Sequence, residues 1–517
     1  MIEVIHREFF ILKKRKTQRA KCSSRDAFRV PWMTRDLLCR IRFKNVLFRK
    51  FRFFGDKESE SVYKKFRNHL NYILRDAKRK FFEGKIKASG NSTRNLWSTV
   101  NLLINKKGNR INNFENGILV NNQLITNKFD IAMAFNKYFS SVAIELQRMI
   151  PVVDTSLTNY FASLPLRQSS SFILSDINCD DLAEIFDDMR GTDSTDLMGF
   201  SNKLMKTLFG WIVRPLTYII NLSFRKGYFP VELGRACIIP LHKKGNKNVM
   251  SNYRPICKSS ILSKIFEKAF LTKLRVYLVD NGVLCHEQFG FREGFSTDYA
   301  VLSFVQDAIS DLDSGLNRIS VMLDLAKAFD TIDHGILISK LEIYGIRLEA
   351  LSWIRSFLNS RKHCVSIGGV NSDYCSLDFG VPQRSILAPI LFLLYINDLP
   401  RVSSILKLGL FADDTVISYS FRNIGNAMGI FNDELNMIYR WLSFNKLSIN
   451  HDKNRLISFR LAANTRLDLR DCLSFGGKPL IQCSNFKYLG ITIDETLSWA
   501  PHLIELKRRL SRVLGIL

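Results

Sequence analysis

Phe411-Ala412-Asp413-Asp414 sets two adjacent aspartates between the apolar run Ile405 to Leu410 and the β-branched run Thr415 to Ile417. This pattern predicts a hairpin with its carboxylates at the tip. Upstream, a second strand-like run, Ile319-Ser320-Val321-Met322-Leu323, delivers Asp324 and is followed by Lys327-Ala328-Phe329-Asp330. An Asp-Asp pair on its own is most often a solvated turn, because Asp favours turns for its own backbone hydrogen bonding. Near-continuous hydrophobic strands on both sides argue otherwise, since a charge carried into a buried hairpin needs a cation to offset its desolvation. Hard oxygen ligands suit Mg²⁺, which is usually held by a few carboxylates plus substrate phosphates. Two such ions about 3.5 to 4 Å apart stabilise the attacking and leaving oxygens of an in-line phosphoryl displacement. Asp324, Asp413 and Asp414 therefore point to nucleotidyl transfer.

Composition agrees with a polyanionic partner. The chain has 517 residues, 46% hydrophobic content and a net charge of +27, which suggests roughly three domains and a sizeable core. Residues 1–90 hold 26 Lys and Arg against 9 Asp and Glu, a local charge of +17. A field of that sign favours nucleic acid through counterion release, with an anionic membrane as runner-up. The ten cysteines are scattered, without zinc-ligand spacing or a disulfide framework, as in a reducing compartment. No secretory signal opens the sequence, and the longest apolar run, Ile386 to Ile396, is too short for a bilayer and predicts a buried helix. No membrane is expected among the partners.

Along the chain, Lys13-Lys14-Arg15-Lys16 is a basic run that suits either a nuclear-localisation or RNA-contacting segment or a solvated tail. From Pro31-Trp32-Met33-Thr34 to about Lys87, aromatics interleaved with Lys and Arg predict one or two basic amphipathic helices. Asn105 to Asn122 and Pro165 to Ser171 read as linkers. Strands and helices alternate from about 174. There, Cys237-Ile238-Ile239-Pro240-Leu241 runs into Lys243-Lys244-Gly245 and then Asn252-Tyr253-Arg254-Pro255, a basic hairpin able to hold a triphosphate. Gln288-Phe289-Gly290-Phe291-Arg292 reads only as a loop leading into a helix at about Asp298 to Leu312.

Taken in order, these blocks resemble the reverse transcriptase of non-LTR, LINE-type retrotransposons, most closely the jockey-like elements of animals. The matching blocks are Asn252 to Ile256, Gln288 to Arg292, Asp324 through Asp333-His334, Gly380-Val381-Pro382-Gln383, Leu391 through Pro400, Phe411 to Asp414, Trp441 through Lys453, and Tyr488-Leu489-Gly490. They cover roughly residues 190–510. Pro31-Trp32-Met33-Thr34 and the long Leu391 block set them apart from group II intron or retron polymerases. The resemblance implies an α+β right-hand polymerase with fingers and palm, a ferredoxin-like antiparallel palm sheet backed by helices, a helical basic N-terminal region and a truncated thumb. The implied division is a basic tail over 1–30, the helical region over 31–170, fingers and palm over 174–485, and a primer-grip hairpin with the start of the thumb over 486–517.

The same resemblance implies an RNA-directed DNA polymerase that takes two Mg²⁺ (Mn²⁺ as the alternative ion), template RNA, a DNA primer and deoxynucleoside triphosphates. The implied setting is a nuclear or cytoplasmic ribonucleoprotein. Asp324, Asp413 and Asp414 become the metal ligands and catalytic residues. Lys243, Lys244, Arg254 and Gln383 become nucleotide contacts, and Phe329 the aromatic that excludes a 2′-hydroxyl. Lys453 is a candidate proton donor to pyrophosphate, and Tyr488, Leu489 and Gly490 form the primer grip. The sequence departs from the family at Arg384 and Ala388, where glycines are usual, at Gly234, where a lysine is common, and at Cys257-Lys258. No segment resembles an apurinic-type endonuclease or a zinc knuckle. The alternative expectation is a catalytically decayed remnant that still binds nucleic acid.

Overall fold

The computed structural model describes residues 32–514 except 89, 91–94, 98, 100–113, 115–116, 121–122, 152–167, 383, 462–466 and 470–471. The basic run at 13–16 and Gln383 lie outside the described residues. Two compact units divide the chain, one of residues 1–111 with 510–517, the other of residues 112–509.

In the first unit, helices α1 (Arg35–Phe54) and α2 (Lys57–Ala88) form the expected basic pair. Thr34 caps α1 by accepting from the Leu37 N–H at 3.3 Å, as short polar residues do at a helix start. Gly55, at φ +66°, ends it in the left-handed region that glycine tolerates best. Aromatic contacts then zip the two helices antiparallel: Phe43 meets Phe66 at 5.1 Å and Phe51 stacks on Tyr63 at 6.1 Å.

The second unit begins at Asn112. Ile118–Val120 and Gln123–Ile125 pair as a hairpin where a linker was expected. Helix α3 (Lys128–Arg148) follows, and its apolar face, with Ile131, Ala132 and Phe135 fully buried, packs with Ile118, Ile238 and Val365 in one core. Periodicity within each element cannot reveal that partner. Within the second expected linker the Gln168 N–H bonds to Ile343 O at 3.1 Å, and just past it Phe172 is buried with its N–H on Gly345 O at 2.8 Å, so this end is fastened to the core.

Next come α4 (Cys179–Asp187), α5 (Asn202–Arg225), β1 (Arg235–His242), β2 (Tyr253–Ser259), α6 (Ile261–Asp280), α7 (Thr297–Asp313) and β3 (Asn317–Asp324). They are followed by α8 (His334–Ile343), α9 (Leu348–Asn359), β4 (Lys362–Ile367), α10 (Ala388–Ile396), β5 (Lys407–Phe411), β6 (Asp414–Phe421) and α11 (Ile424–Phe444). Strands β7 (Arg455–Phe459), β8 (Asn485–Tyr488) and β9 (Ile491–Asp494) precede the last helix, Ala500–Leu514. The apolar run at 386–396 is indeed a buried helix, α10.

Two sheets position the site. Strands β2, β1 and β4 form one, with β1 antiparallel to β2 and parallel to β4. The other is antiparallel throughout, in the order β7-β3-β6-β5. Directly opposed residues of an antiparallel pair share a face, so Met322 with Val416 and Ser320 with Ser418 lie on one side. Helix α7 covers that side through Val301, Phe304 and Val305. On the opposite side Tyr419 stacks on Phe431 of α11 at 5.5 Å. A sheet backed by helices on both faces can carry charge only at its ends.

Candidate active site

Strand register brings the first two carboxylates together. Asp414 opens β6 and Asp324 closes β3, and the two are Cα partners across the pair. Asp413 sits one residue earlier in the two-residue loop that joins β5 to β6, where Phe411 pairs with Asp414. Ala412 occupies the first position of this loop at φ +55°. A short hairpin loop needs a positive φ there, and a non-glycine residue holds it only when its surroundings enforce it.

Gln288 is the enforcer. Its buried side chain accepts from the N–H of Ala412 at 3.0 Å and from that of Gly290 at 2.8 Å. The loop runs alongside β5, with Phe289 N bonded to Leu410 O and Leu410 N to Glu287 O, each at 2.8 Å. A Cβ on Gly290 would lie 2.4 Å from the Ala412 nitrogen, so only glycine lets the two backbones approach this closely. The segment that read only as a loop is the clamp on the aspartate turn. Its sequence signal, a glutamine two residues before a glycine, gains meaning only when β5 lies beside it.

From the other side the segment 448–454 holds Asp324. The Asn450 N–H donates to Asp324 O at 2.8 Å and Ala326 N to Ser448 O at 2.8 Å. Lys453 Nζ is 2.6 Å from Asp324 Oδ2. Burial first, and the Asp324 charge after it, push the Asp413 carboxyl above its ordinary range. Asp414 is pushed up to about 6 by burial, then by Asp413 and Asp324, with Lys453 opposing. Asp414 opens onto the cleft, so solvent there tempers its shift.

Eight of the twelve predicted residues line one cleft of about 890 Å³: Asp324, Asp413, Asp414, Lys243, Lys244, Arg254, Phe329 and Lys453. Lys243 follows β1, its N–H bonded to Asn252 O at 2.8 Å. Burial, then the charges of Arg254, Lys453 and Lys244, pull its pKa down. Such a crowd of cations favours a polyanion. Phe329 stacks on Phe392 of α10 at 4.6 Å, which braces the ring at the cleft wall.

Tyr488, Leu489 and Gly490 are not brought into the cleft. Tyr488 is 1% exposed and packs with Phe304, Val416 and Ile457 in the core beneath the sheet. Burial, with the Asp414 charge second, pushes its phenol up. Leu489 and Gly490, at φ +48° and +96°, make the tip of the β8-β9 hairpin. That hairpin is rooted in the second unit's core.

Arg384 does line the cleft, in a turn at φ +70°. Gly234 has a local reason: a Cβ there would meet Ser360 O at 2.3 Å, so packing against α9's end excludes any side chain. The Asp333-His334 block is structural. Asp333 caps α8 by accepting from Ile336 N at 2.9 Å and pairs with Lys446 at 2.6 Å, while His334 Nε2 bonds Gly380 O at 2.8 Å. Asn397 and Asp398 are structural too. Asn397 bridges the backbone at Cys285 and Val283, and Asp398 pairs with the buried Lys340 at 2.6 Å.

Among the described residues, no group of three His, Cys, Asp or Glu side chains forms a ready-made metal cage. The donors nonetheless fit a divalent ion that takes its remaining ligands from a substrate. They are hard carboxylate oxygens at the ends of two adjacent strands and in the turn beside them, two with pKa values raised by burial and then by their carboxylate neighbours, lining a cleft wide enough for phosphates. No helix among the described residues is long and apolar enough to cross a membrane.

Residues 241–493 match the family model described as reverse transcriptase (RNA-dependent DNA polymerase). The chain is 30% identical over 328 residues to the probable RNA-directed DNA polymerase from transposon BS of Drosophila melanogaster, covering 60% of this chain and 35% of that protein. It is 27% identical over 314 residues to the probable RNA-directed DNA polymerase from transposon X-element of the same species, covering 60% and 34%. It is also 27% identical over 316 residues to the RNA-directed DNA polymerase from mobile element jockey, covering 59% and 34%. The chain thus spans about a third of the length of these relatives.

Proposed function

We propose that this chain, which carries a reverse transcriptase domain of the kind found in jockey-like non-LTR transposons, extends a DNA primer on an RNA template. The observation that carries the reading is the register that sets Asp324 opposite Asp414, with Asp413 in the adjoining turn, inside a cleft lined by Lys243, Lys244 and Arg254. Asp324, Asp413 and Asp414 would hold two Mg²⁺, or Mn²⁺, which when bound would activate the primer 3′-hydroxyl and neutralise the leaving pyrophosphate.

The chain's own residues do the positioning. Lys243 and Lys244 place point charges and Arg254 a planar fork against the triphosphate. Phe329, fixed by Phe392, presents a rigid ring where a 2′-hydroxyl would sit and so selects deoxynucleotides. Lys453, paired with Asp324, lines the cleft and would pass a proton to pyrophosphate. Gln383 is assigned to the template or nucleotide, and the Tyr488-Leu489-Gly490 hairpin to the primer, with Tyr488 as its buried anchor. Phosphoryl transfer demands mostly such positioning and charge stabilisation.

A second reading is a decayed polymerase that still binds nucleic acid. Arg384 favours it, because an arginine at φ +70° is strained and puts bulk and charge into the cleft. Mg²⁺-dependent primer extension on an RNA template separates the two. Extension by the natural chain that disappears in Asp413→Ala/Asp414→Ala supports the polymerase. Silence until Arg384→Gly is introduced supports decay, and silence from every variant refutes the polymerase reading for this chain.

A further inference from the structure

Helix α3 lies upstream of residues 241–493, the span that matches the reverse transcriptase family model, yet it holds the turn that carries Phe329. Its own position is fixed: Ile131, Ala132 and Phe135 are buried in the core with Ile238 and Val365, and Asn136 Nδ2 donates to Asp373 O at 2.8 Å. Two side chains of the helix then reach the segment after Asp324. The Tyr138 hydroxyl accepts from Lys327 Nζ at 2.9 Å, and the same ammonium lies 4.7 Å from the centre of the Tyr138 ring. Near the end of the helix, Gln147 Nε2 donates to Thr331 O at 3.3 Å.

These contacts bracket a short turn. Lys327 stands at φ +51°, in the left-handed region, and one turn of 3-10 helix, Ala328–Asp330, follows it. A lysine in that conformation is strained, and such a conformation persists only where its surroundings enforce it. Asp330 N bonds to Lys327 O at 2.8 Å and Thr331 Oγ1 donates to Ala328 O at 3.3 Å, so the turn moves as a piece and a displaced Lys327 takes Phe329 with it. The stack on Phe392 braces one face of the Phe329 ring. How far the ring stands into the cleft depends on the turn. Exclusion of a hydroxyl by a ring is sensitive to such placement, because contact energies change steeply over about 0.5–1 Å.

We propose that Tyr138 is a positioning residue for sugar selection. By holding Lys327, and with it the left-handed turn, it sets the depth of Phe329 in the cleft and so the preference for deoxyribonucleotides over ribonucleotides. Gln147 secures the other end of the same turn. The inference rests on the assignment of Phe329 as the residue that excludes a 2′-hydroxyl.

The test is equilibrium binding of dGTP and of GTP to the full chain on a primer–template whose primer ends in a dideoxynucleotide, so that no chemistry is needed. The natural chain should prefer dGTP by about 100-fold, the order expected for rejecting one added hydroxyl. Tyr138→Leu should cut that preference about tenfold, chiefly by tightening GTP, and Tyr138→Phe, which removes only the hydroxyl, about threefold. Lys327→Met should reproduce the Tyr138→Leu effect, and the double variant should be no worse than either, because residues that act as one latch are not additive. A general loosening of α3 would instead weaken both nucleotides alike and add to the effect of Lys327→Met. An unchanged preference in folded Tyr138→Leu and Tyr138→Phe, additive losses in the double variant, or no preference in the natural chain would overturn the proposal. Phe329→Val checks the assignment beneath it: a preference that survives this change overturns the gate and the proposal together, whereas one that it abolishes and Tyr138→Leu leaves intact overturns only the role of Tyr138. A chain that never extends the primer still reports in this binding measurement, so failure of the polymerase reading and failure of this inference are distinguishable.

Discussion

At the residue scale, the carboxylates of the cleft are held at odds with their own stability. Asp414 has an unfolded-state pKa of 3.8 and a folded one of about 6. The folded state therefore binds more protons between these values, and stability falls as pH rises through them. Without metal, Asp414→Asn should be more stable than the natural chain above pH 6, by about 1 kcal/mol once solvent screening in the cleft is counted. The gap should close below pH 3.8. Urea titrations in EDTA across this range check it, and a difference that does not vary with pH would refute it. Added Mg²⁺ should narrow the gap by binding only the natural, folded form. Arg384 is a second residue under strain. Arg384→Gly should raise stability by about 1 kcal/mol by relieving the positive φ, and should speed primer extension in the same preparation.

At the scale of elements, the cleft depends on a clamp that carries no charge. Gln288 satisfies two backbone N–H groups, one on its own loop and one on the aspartate turn. Gln288→Ala leaves both buried and unpaired and should cost about 2–3 kcal/mol, read by chemical denaturation. Gly290→Ala forces a Cβ against the Ala412 nitrogen and must push the turn aside. A shift of about 1 Å at a reacting centre can cost about 100-fold in rate. Primer extension by Gly290→Ala should fall by that order while circular dichroism stays native-like. A variant of unchanged activity would mean that the turn does not depend on this loop.

At the scale of the whole molecule, a fully buried ion pair ties three distant segments together. Lys340 of α8 meets Asp398 just after α10, while Trp441 Nε1 of α11 donates to the other carboxylate oxygen at 3.0 Å. Removing one partner of such a pair leaves an uncompensated buried charge, so Asp398→Asn should cost about 3–5 kcal/mol in urea unfolding. A loss below about 1 kcal/mol would show that the pair is not structurally important. Much of the second unit was legible beforehand. Alternation and β-branching marked β3, β5 and β6, the apolar run marked α10, and carboxylates at strand ends marked the candidate site, because each is a local pattern with a local cause. Other features depended on partners far along the chain. The limit of the second unit at residue 112 follows from α3 burying its face against β1 and β4. The roles of Gln288, Asp398 and Tyr488 follow from which strand or helix lies beside them, and Arg384 is strained only because the turn imposes its φ. By itself the sequence determined which residues bear the charge and which segments bear the strands. Only the tertiary structure decided the register that sets Asp324 against Asp414 and the buried pairing of Arg361 with Glu267, since both are contacts between residues that no local pattern joins.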